Sequence, residues 1–173
     1  QRATVDPTWA LKGAISAPKP QARAAVVEPK GFGALLRAIA DYTGAPETRM
    51  ALELMALTFV RPGELRFAEW AEFDLDAKVW AIPANRMKMR RPHRVPLAPQ
   101  ALAILDTLKI LTGHRRLLFP SVRSPGRPMS ENTLNAALRR LGYAKDEATA
   151  HGFRASASSM LNESGKWNPD AIE

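Results

Sequence analysis

From Met50 to Val60 the chain is apolar almost all round, and it then breaks on Arg61-Pro62-Gly63-Glu64-Leu65-Arg66. A helix without a polar face is not a surface helix, so this segment is expected at the centre of the fold with the other elements packed around it. Pro62 disfavours helical backbone at Arg61 yet suits the first position of a short new helix. Arg61 is thereby placed at a helix N-terminus, directly behind the most buried segment of the chain. Any fold built on this sequence must bring a guanidinium to the end of its own core.

The remaining elements are read outward from that helix. Phe32, Leu35, Leu36 and Ile39 make one helical stripe from about Pro29 to Tyr42-Thr43-Gly44, and Pro46 opens the central helix. Asp74 to Pro83 turns β-like through Val79, Trp80 and Ile82, and Arg94-Val95-Pro96-Leu97 forms a second strand whose proline predicts an edge. Leu102, Leu105, Leu108 and Leu111, with Ile104, mark a helix from Ala101 closed by Gly113. Residues 114–129 are irregular and basic, with Arg115, Arg116, Arg123 and Arg127 around Leu117-Leu118-Phe119. Ser130 is read as the cap of a helix whose core face is Leu134, Ala137, Leu138 and Leu141. Its other face carries Asn132, Asn135, Arg139 and Arg140. Thr149 is read as the N-cap of a further helix with Phe153, Ala157, Met160 and Leu161 inward, and Pro169-Asp170 is typical of another first turn. The predicted fold class is mainly α with a small antiparallel β-sheet (α+β). Residues 1–28, with Pro7, Pro18 and Pro20, read as an extended linker, which leaves residues 29–173 as one domain.

Charge narrows the partner. Lys and Arg total 25 against 17 Asp and Glu, a net charge of +8 in 173 residues. Arginine predominates, which favours bidentate phosphate recognition and makes nucleic acid the leading partner class, with an anionic membrane surface as the weaker alternative. There is no cysteine, so neither a disulfide nor a thiolate zinc site can form. Three histidines without metal-ligand spacing, and no Asp/Glu cluster of the kind that holds Mg²⁺, argue against a metal centre. No apolar run approaches the roughly 18 residues of a membrane span, and no signal peptide opens the chain, so a cytosolic protein is expected.

Three places carry the chemistry. His151 and Arg154 are three apart, on one face of a helix's first turn, where unpaired N–H groups and the dipole suit a phosphate. The loop between the two strands holds Arg86, Lys88, Arg90, Arg91, His93 and Arg94. It is longer than a two-residue hairpin turn and almost wholly cationic, which fits it to reach a polyanion. Lys88 differs in kind from its neighbours: an arginine effectively never releases its proton, whereas an ammonium beside a phosphate can serve as a general acid. Arg61 is the third place. Two arginines, a histidine and a lysine of this kind would neutralise the extra charge of a pentacoordinate phosphorane.

The wording around these residues resembles a known family. Thr58-Phe59-Val60-Arg61-Pro62-Gly63-Glu64-Leu65 is similar to the box around the first catalytic arginine of tyrosine recombinases. Met87-Lys88-Met89-Arg90 followed by Arg94-Val95-Pro96-Leu97 resembles their β-hairpin lysine signature, and His151-Gly152-Phe153-Arg154 resembles their H-x-x-R box. Met129-Ser130-Glu131-Asn132-Thr133-Leu134 and Ala150-His151-Gly152-Phe153-Arg154-Ala155 are most similar to prophage-type integrases. The resemblance implies the fold of the DNA breaking-rejoining enzymes, double-stranded DNA at attachment sites as substrate, and no metal or nucleotide cofactor. It further implies self-association on DNA, accessory DNA-bending or excision proteins, and a place in the bacterial cytoplasm at the nucleoid. Arg61 and Arg154 would grip the nonbridging oxygens of the scissile phosphate. Lys88 would protonate the departing 5′ oxygen, and His151 would assist proton transfer at the nucleophile. Arg86, Arg90, Arg91, Arg94, Arg139 and Arg140 would add DNA contacts.

The family's nucleophile, a tyrosine, lies downstream of H-x-x-R, as does a further His or Trp box. This chain stops at Glu173 with neither, and Tyr42 and Tyr143, which precede His151, read as structural. The expectation is a catalytic domain truncated before its nucleophile, able to bind DNA but not to cleave it, with residues 1–28 leading from a missing DNA-clamping domain. Two alternatives compete. One is a non-enzymatic helical DNA-binding module that sets the helix at Ser130–Leu141 in the major groove. The other is a type IB topoisomerase, which shares the chemistry.

Overall fold

The computed structural model describes residues 24–87 and 90–172. Among the described residues, six α-helices and one three-stranded sheet follow in the order α1 (Pro29–Ala40), α2 (Pro46–Thr58), α3 (Pro62–Arg66), β1 (Phe73–Asp74), β2 (Val79–Ile82), β3 (His93–Pro96), α4 (Pro99–Thr112), α5 (Thr133–Arg140) and α6 (Gly152–Glu163). The first four of these helices to be preceded by a loop, α1 to α4, all open on proline, whose fixed φ and missing N–H suit the first helical position.

Helix α2 is the hub, as its all-round apolarity requires. Met50, Ala51, Leu52, Leu54, Met55 and Ala56 are buried, and α1, α3, α4 and α5 all pack on it. It ends at Phe59, which adopts a left-handed conformation at φ 52° and donates its N–H to the Met55 carbonyl. A non-glycine residue rarely takes this conformation; here it turns the chain sharply so that α3 can begin at Pro62. Phe32 of α1 meets Phe153 of α6 edge-to-face, with centroids 6.0 Å apart, which carries the core through to the last helix.

The sheet is antiparallel in the order β1-β2-β3. The register pairs Trp80 with Val95 and Ile82 with His93. Trp80, Ile82 and Val95 are buried while Ala81 and Arg94 point outward, the two-residue alternation of a sheet with one wet face. Phe73 stacks on Trp80 at 5.0 Å. The proline-bearing strand β3 is at the edge, as expected.

Several boundaries differ from the sequence reading for identifiable reasons. Leu111 faces outward at 38% exposed, because Thr112 takes the inner position and its hydroxyl donates to the Leu118 carbonyl at 2.9 Å. Helix α5 starts at Thr133 rather than beside Ser130, whose carbonyl instead accepts the Thr133 N–H in a preceding turn. Helix α6 starts at Gly152 because Ala150 and His151 form a separate turn held by the Asn135 and Thr149 side chains. Pro169–Ala171 closes the described chain as a single 3-10 turn. Of the stretch read as a linker, residues 1–23 lie outside the described residues; Ala24 to Glu28 run extended over the start of α6, with Val26 against the core.

Candidate nucleic-acid interface and phosphate site

A cleft of about 730 Å³ opens where α3, the hairpin root, the start of α5 and the turn before α6 meet, and Arg61, Arg86, Arg116, Asn135 and His151 line it. Arg61 is the residue before α3, and a single acid sets its geometry. Glu64 is buried at 7% exposed, and its carboxylate accepts both the Arg61 backbone N–H at 2.8 Å and the Arg61 guanidinium at 2.7 Å. Capping boxes are recognised by a small polar N-cap residue; an arginine in that place hides the motif, though its glutamate sits three residues on as usual. The bond to Glu64 uses one end of the guanidinium. The side chain remains 43% exposed, with further donors for an anion in the cleft.

The turn carrying His151 is braced on two sides. The Asn135 side-chain carbonyl accepts the Ala150 N–H at 2.9 Å, and the Thr149 hydroxyl accepts the Gly152 N–H at 3.0 Å while donating to the Ala24 carbonyl at 3.0 Å. Thr149 therefore does cap the turn, three residues before the helix proper. A Cβ on Gly152 would fall 2.1 Å from the Ala24 carbonyl oxygen, so only glycine lets the extended segment cross at this level. His151 is exposed on the cleft wall.

Arg154, one turn into α6, reaches back to the α2–α3 corner. Its guanidinium donates to the Phe59 carbonyl at 3.5 Å. That carbonyl belongs to a helix end and has no intrahelical partner of its own. Arg154 thus touches the chain two residues before Arg61, and it lines a separate, more apolar hollow with Phe59, Leu161 and Trp167 rather than the Arg61 cleft. Residues 93 apart in sequence are brought to the two sides of one short corner, Phe59-Val60-Arg61.

The cationic hairpin divides. Arg86 is turned inward: its guanidinium pairs with Glu72 and also donates to the Glu64 carbonyl, and its side chain is only 17% exposed. Glu72 accepts in addition the Trp80 indole N–H at 2.9 Å. Arg90, Arg91 and Arg94 are exposed, and no ion pair among the described residues engages them. Lys88 lies outside the described residues. Arg139 is likewise turned inward, donating to the Asn135 and Ala148 carbonyls, whereas Arg140 is exposed with its guanidinium 3.4 Å from the Tyr42 hydroxyl. Arg86 and Arg139, expected among the DNA-contacting arginines, are thus partly buried and bonded within the protein, and Arg86 still lines the cleft. The partners of Arg86 lie 14 and 22 residues away in sequence and those of Arg139 lie 4 and 9 away, and no motif marks either set. Glu72, Asn135 and Gly152 act through contacts between separate segments, whereas Glu64 is a local partner hidden by the arginine at the N-cap.

Among the described residues no group of histidine and carboxylate side chains is arranged to hold a metal ion, and no helix is long and apolar enough to cross a membrane.

Residues 26–173 match the phage integrase family, and the chain belongs to it. It is 44% identical to the integrase of Enterobacteria phage P4 over 181 aligned positions, covering 97% of this chain and 41% of that protein. It is 45% identical to the putative protein IntB of Escherichia coli (strain K12), covering 97% of this chain and 46% of that protein. The chain thus spans less than half the length of these curated relatives. Among solved structures, the Tn1549 transposon integrase in complex with circular intermediate DNA superposes with a TM-score of 0.69 at 14% identity, over 89% of this chain and 58% of that one. A lambda integrase dimer bound to a core site superposes with a TM-score of 0.63 at 21% identity, over 87% of this chain and 55% of that one. These likenesses establish the fold.

Proposed function

We propose that this chain is the phosphate-gripping part of an integrase catalytic domain, and that the whole protein recombines double-stranded DNA at attachment sites through a 3′-phosphotyrosine. The observation that carries this reading is the corner at residues 59–61: Arg61 and His151 face one cleft, and Arg154 closes on the same corner through the Phe59 carbonyl. A phosphoryl group in that cleft would meet Arg61 and His151, and Arg154 would join them by swinging from the Phe59 carbonyl across the corner. Attack by a tyrosine oxygen forms the phosphotyrosyl bond as the bond to the 5′ oxygen breaks. Arg61 and Arg154 stabilise the charge that builds on the nonbridging oxygens. His151 assists removal of the tyrosine proton, and Lys88 delivers a proton to the 5′ oxygen. Because the phosphodiester energy is kept in the covalent link, no nucleotide cofactor is needed.

In this reading the nucleophilic tyrosine comes from outside these 173 residues. Tyr42 and Tyr143 are half-buried against the core, which supports structural roles for both. Residues 1–28 form the linker to a DNA-clamping domain, Arg90, Arg91, Arg94 and Arg140 contact DNA phosphates, and the whole protein assembles with further copies on DNA in the bacterial cytoplasm. Accessory DNA-bending proteins fit the same scheme.

The test is Lys88→Arg in the full-length protein on a nicked suicide substrate. Strand cleavage should fall by about 100-fold, the size of a lost general acid, with DNA affinity retained. Undiminished cleavage would remove Lys88 as the acid, and absence of any covalent adduct from the unaltered protein would overturn the reading as a whole.

A further inference from the structure

We propose that Arg86 and Glu72 form a positioning strut for Arg61, an inference that rests on the functional reading above. The connection is continuous. The Trp80 indole N–H and the Arg86 guanidinium both end on the Glu72 carboxylate, the other arm of Arg86 ends on the Glu64 carbonyl, and the Glu64 carboxylate holds Arg61 by its amide and its guanidinium. Helix α3 has only five residues, too short to hold its own orientation by intrahelical bonds. The sheet supplies what the helix lacks: Trp80 is fully buried in β2, so the strut hangs from a rigid point of the core.

The chemistry of the strut requires a fork. One guanidinium arm is committed to a carboxylate and the other to a backbone carbonyl 22 residues away in sequence. A lysine ammonium has the same charge but is a single point at the end of a flexible stem and cannot hold both ends in a fixed plane. With Glu72 beside it, Arg86 is also largely neutralised, so it adds little to the field felt by DNA. A phosphate contact and a strut therefore make opposite demands on residue 86.

Arg86→Lys and Arg86→Gln separate them. In the full-length protein, single-turnover cleavage of a nicked attachment-site duplex should slow by about 30- to 100-fold in both variants, the scale of a misplaced catalytic group. Half-saturating DNA should stay unchanged, and so should the slope of the full-length protein's affinity against salt. Replacing the 5′ oxygen by sulfur, a leaving group that needs no proton, should leave the defect in place, because Arg61 serves the nonbridging oxygens. Any of three results would overturn the strut: wild-type cleavage by Arg86→Lys, a salt slope shallower by about 0.9, or rescue by sulfur, which would assign Arg86 to the leaving-group side. If either Arg86 variant melts below the assay temperature, Glu72→Gln takes its place: a roughly tenfold, sulfur-insensitive loss supports the strut, and unaltered cleavage refutes it. Failure of the unaltered protein to form a covalent adduct is a separate outcome that removes the functional reading and the strut with it.

Discussion

Arg86 and Arg91 stand five residues apart in one hairpin, carry the same charge, and occupy opposite environments. At the root, Arg86 is mostly buried with both arms engaged by Glu72 and the Glu64 backbone. Past the tip, Arg91 is exposed. The same contrast recurs on α5, where Arg139 folds back onto the Ala148 carbonyl and Arg140 stays outside. The difference teaches that a basic segment is not one functional unit. An arginine acts on the protein where a buried acid or orphan carbonyl waits within its reach, and on the surroundings where none does.

The contrast is broken most forcefully from the acid side. Glu72→Ala removes the partner of Arg86 and of the Trp80 indole together, leaving a mostly buried guanidinium uncompensated. A stability loss of about 3 kcal/mol is expected in urea unfolding, against none for Arg91→Ala. Arg139→Met comes next. It strips the turn before α6 of its bond to the Ala148 carbonyl but also removes a buried guanidinium nitrogen that has no hydrogen-bond partner among the described residues. The net cost should be about 1 kcal/mol, with DNA affinity unchanged at low salt.

Arg91→Gln tests the other half. Stability should hold within about 0.5 kcal/mol, while the slope of log affinity against log salt should become shallower by about 0.9, the signature of one lost phosphate contact. A slope equal to that of the unaltered chain would show that exposure alone does not identify a DNA contact. The smallest effect is at Glu53. Burial pushes its carboxyl above the ordinary range, and Arg49, 3.6 Å away, only partly offsets this. A carboxyl raised in the folded state binds its proton more tightly there than in the unfolded chain, so stability declines as pH rises from the unfolded to the folded value. Glu53→Gln should flatten that decline in melts taken upward from the ordinary glutamate range and leave the slope of salt dependence untouched.

The apolar run at residues 50–60, the proline openings of the helices and the alternation through Val79 to Ile82 were sufficient to lay out the helices, the hairpin and the edge strand. The three boxes around Arg61, Lys88 and His151 were sufficient to place the chain in its family. Periodicity and spacing are local properties, and burial follows them directly. What the sequence alone did not decide was which cations stay exposed and which are held within the protein. The roles of Glu64, Glu72, Asn135 and Gly152 depend on contacts such as Arg86 with Glu64, Asn135 with Ala150, and Gly152 with the Ala24 carbonyl. Each is made by chain segments that meet only after folding, and a guanidinium takes its role from the oxygen that folding brings within about 3 Å of it.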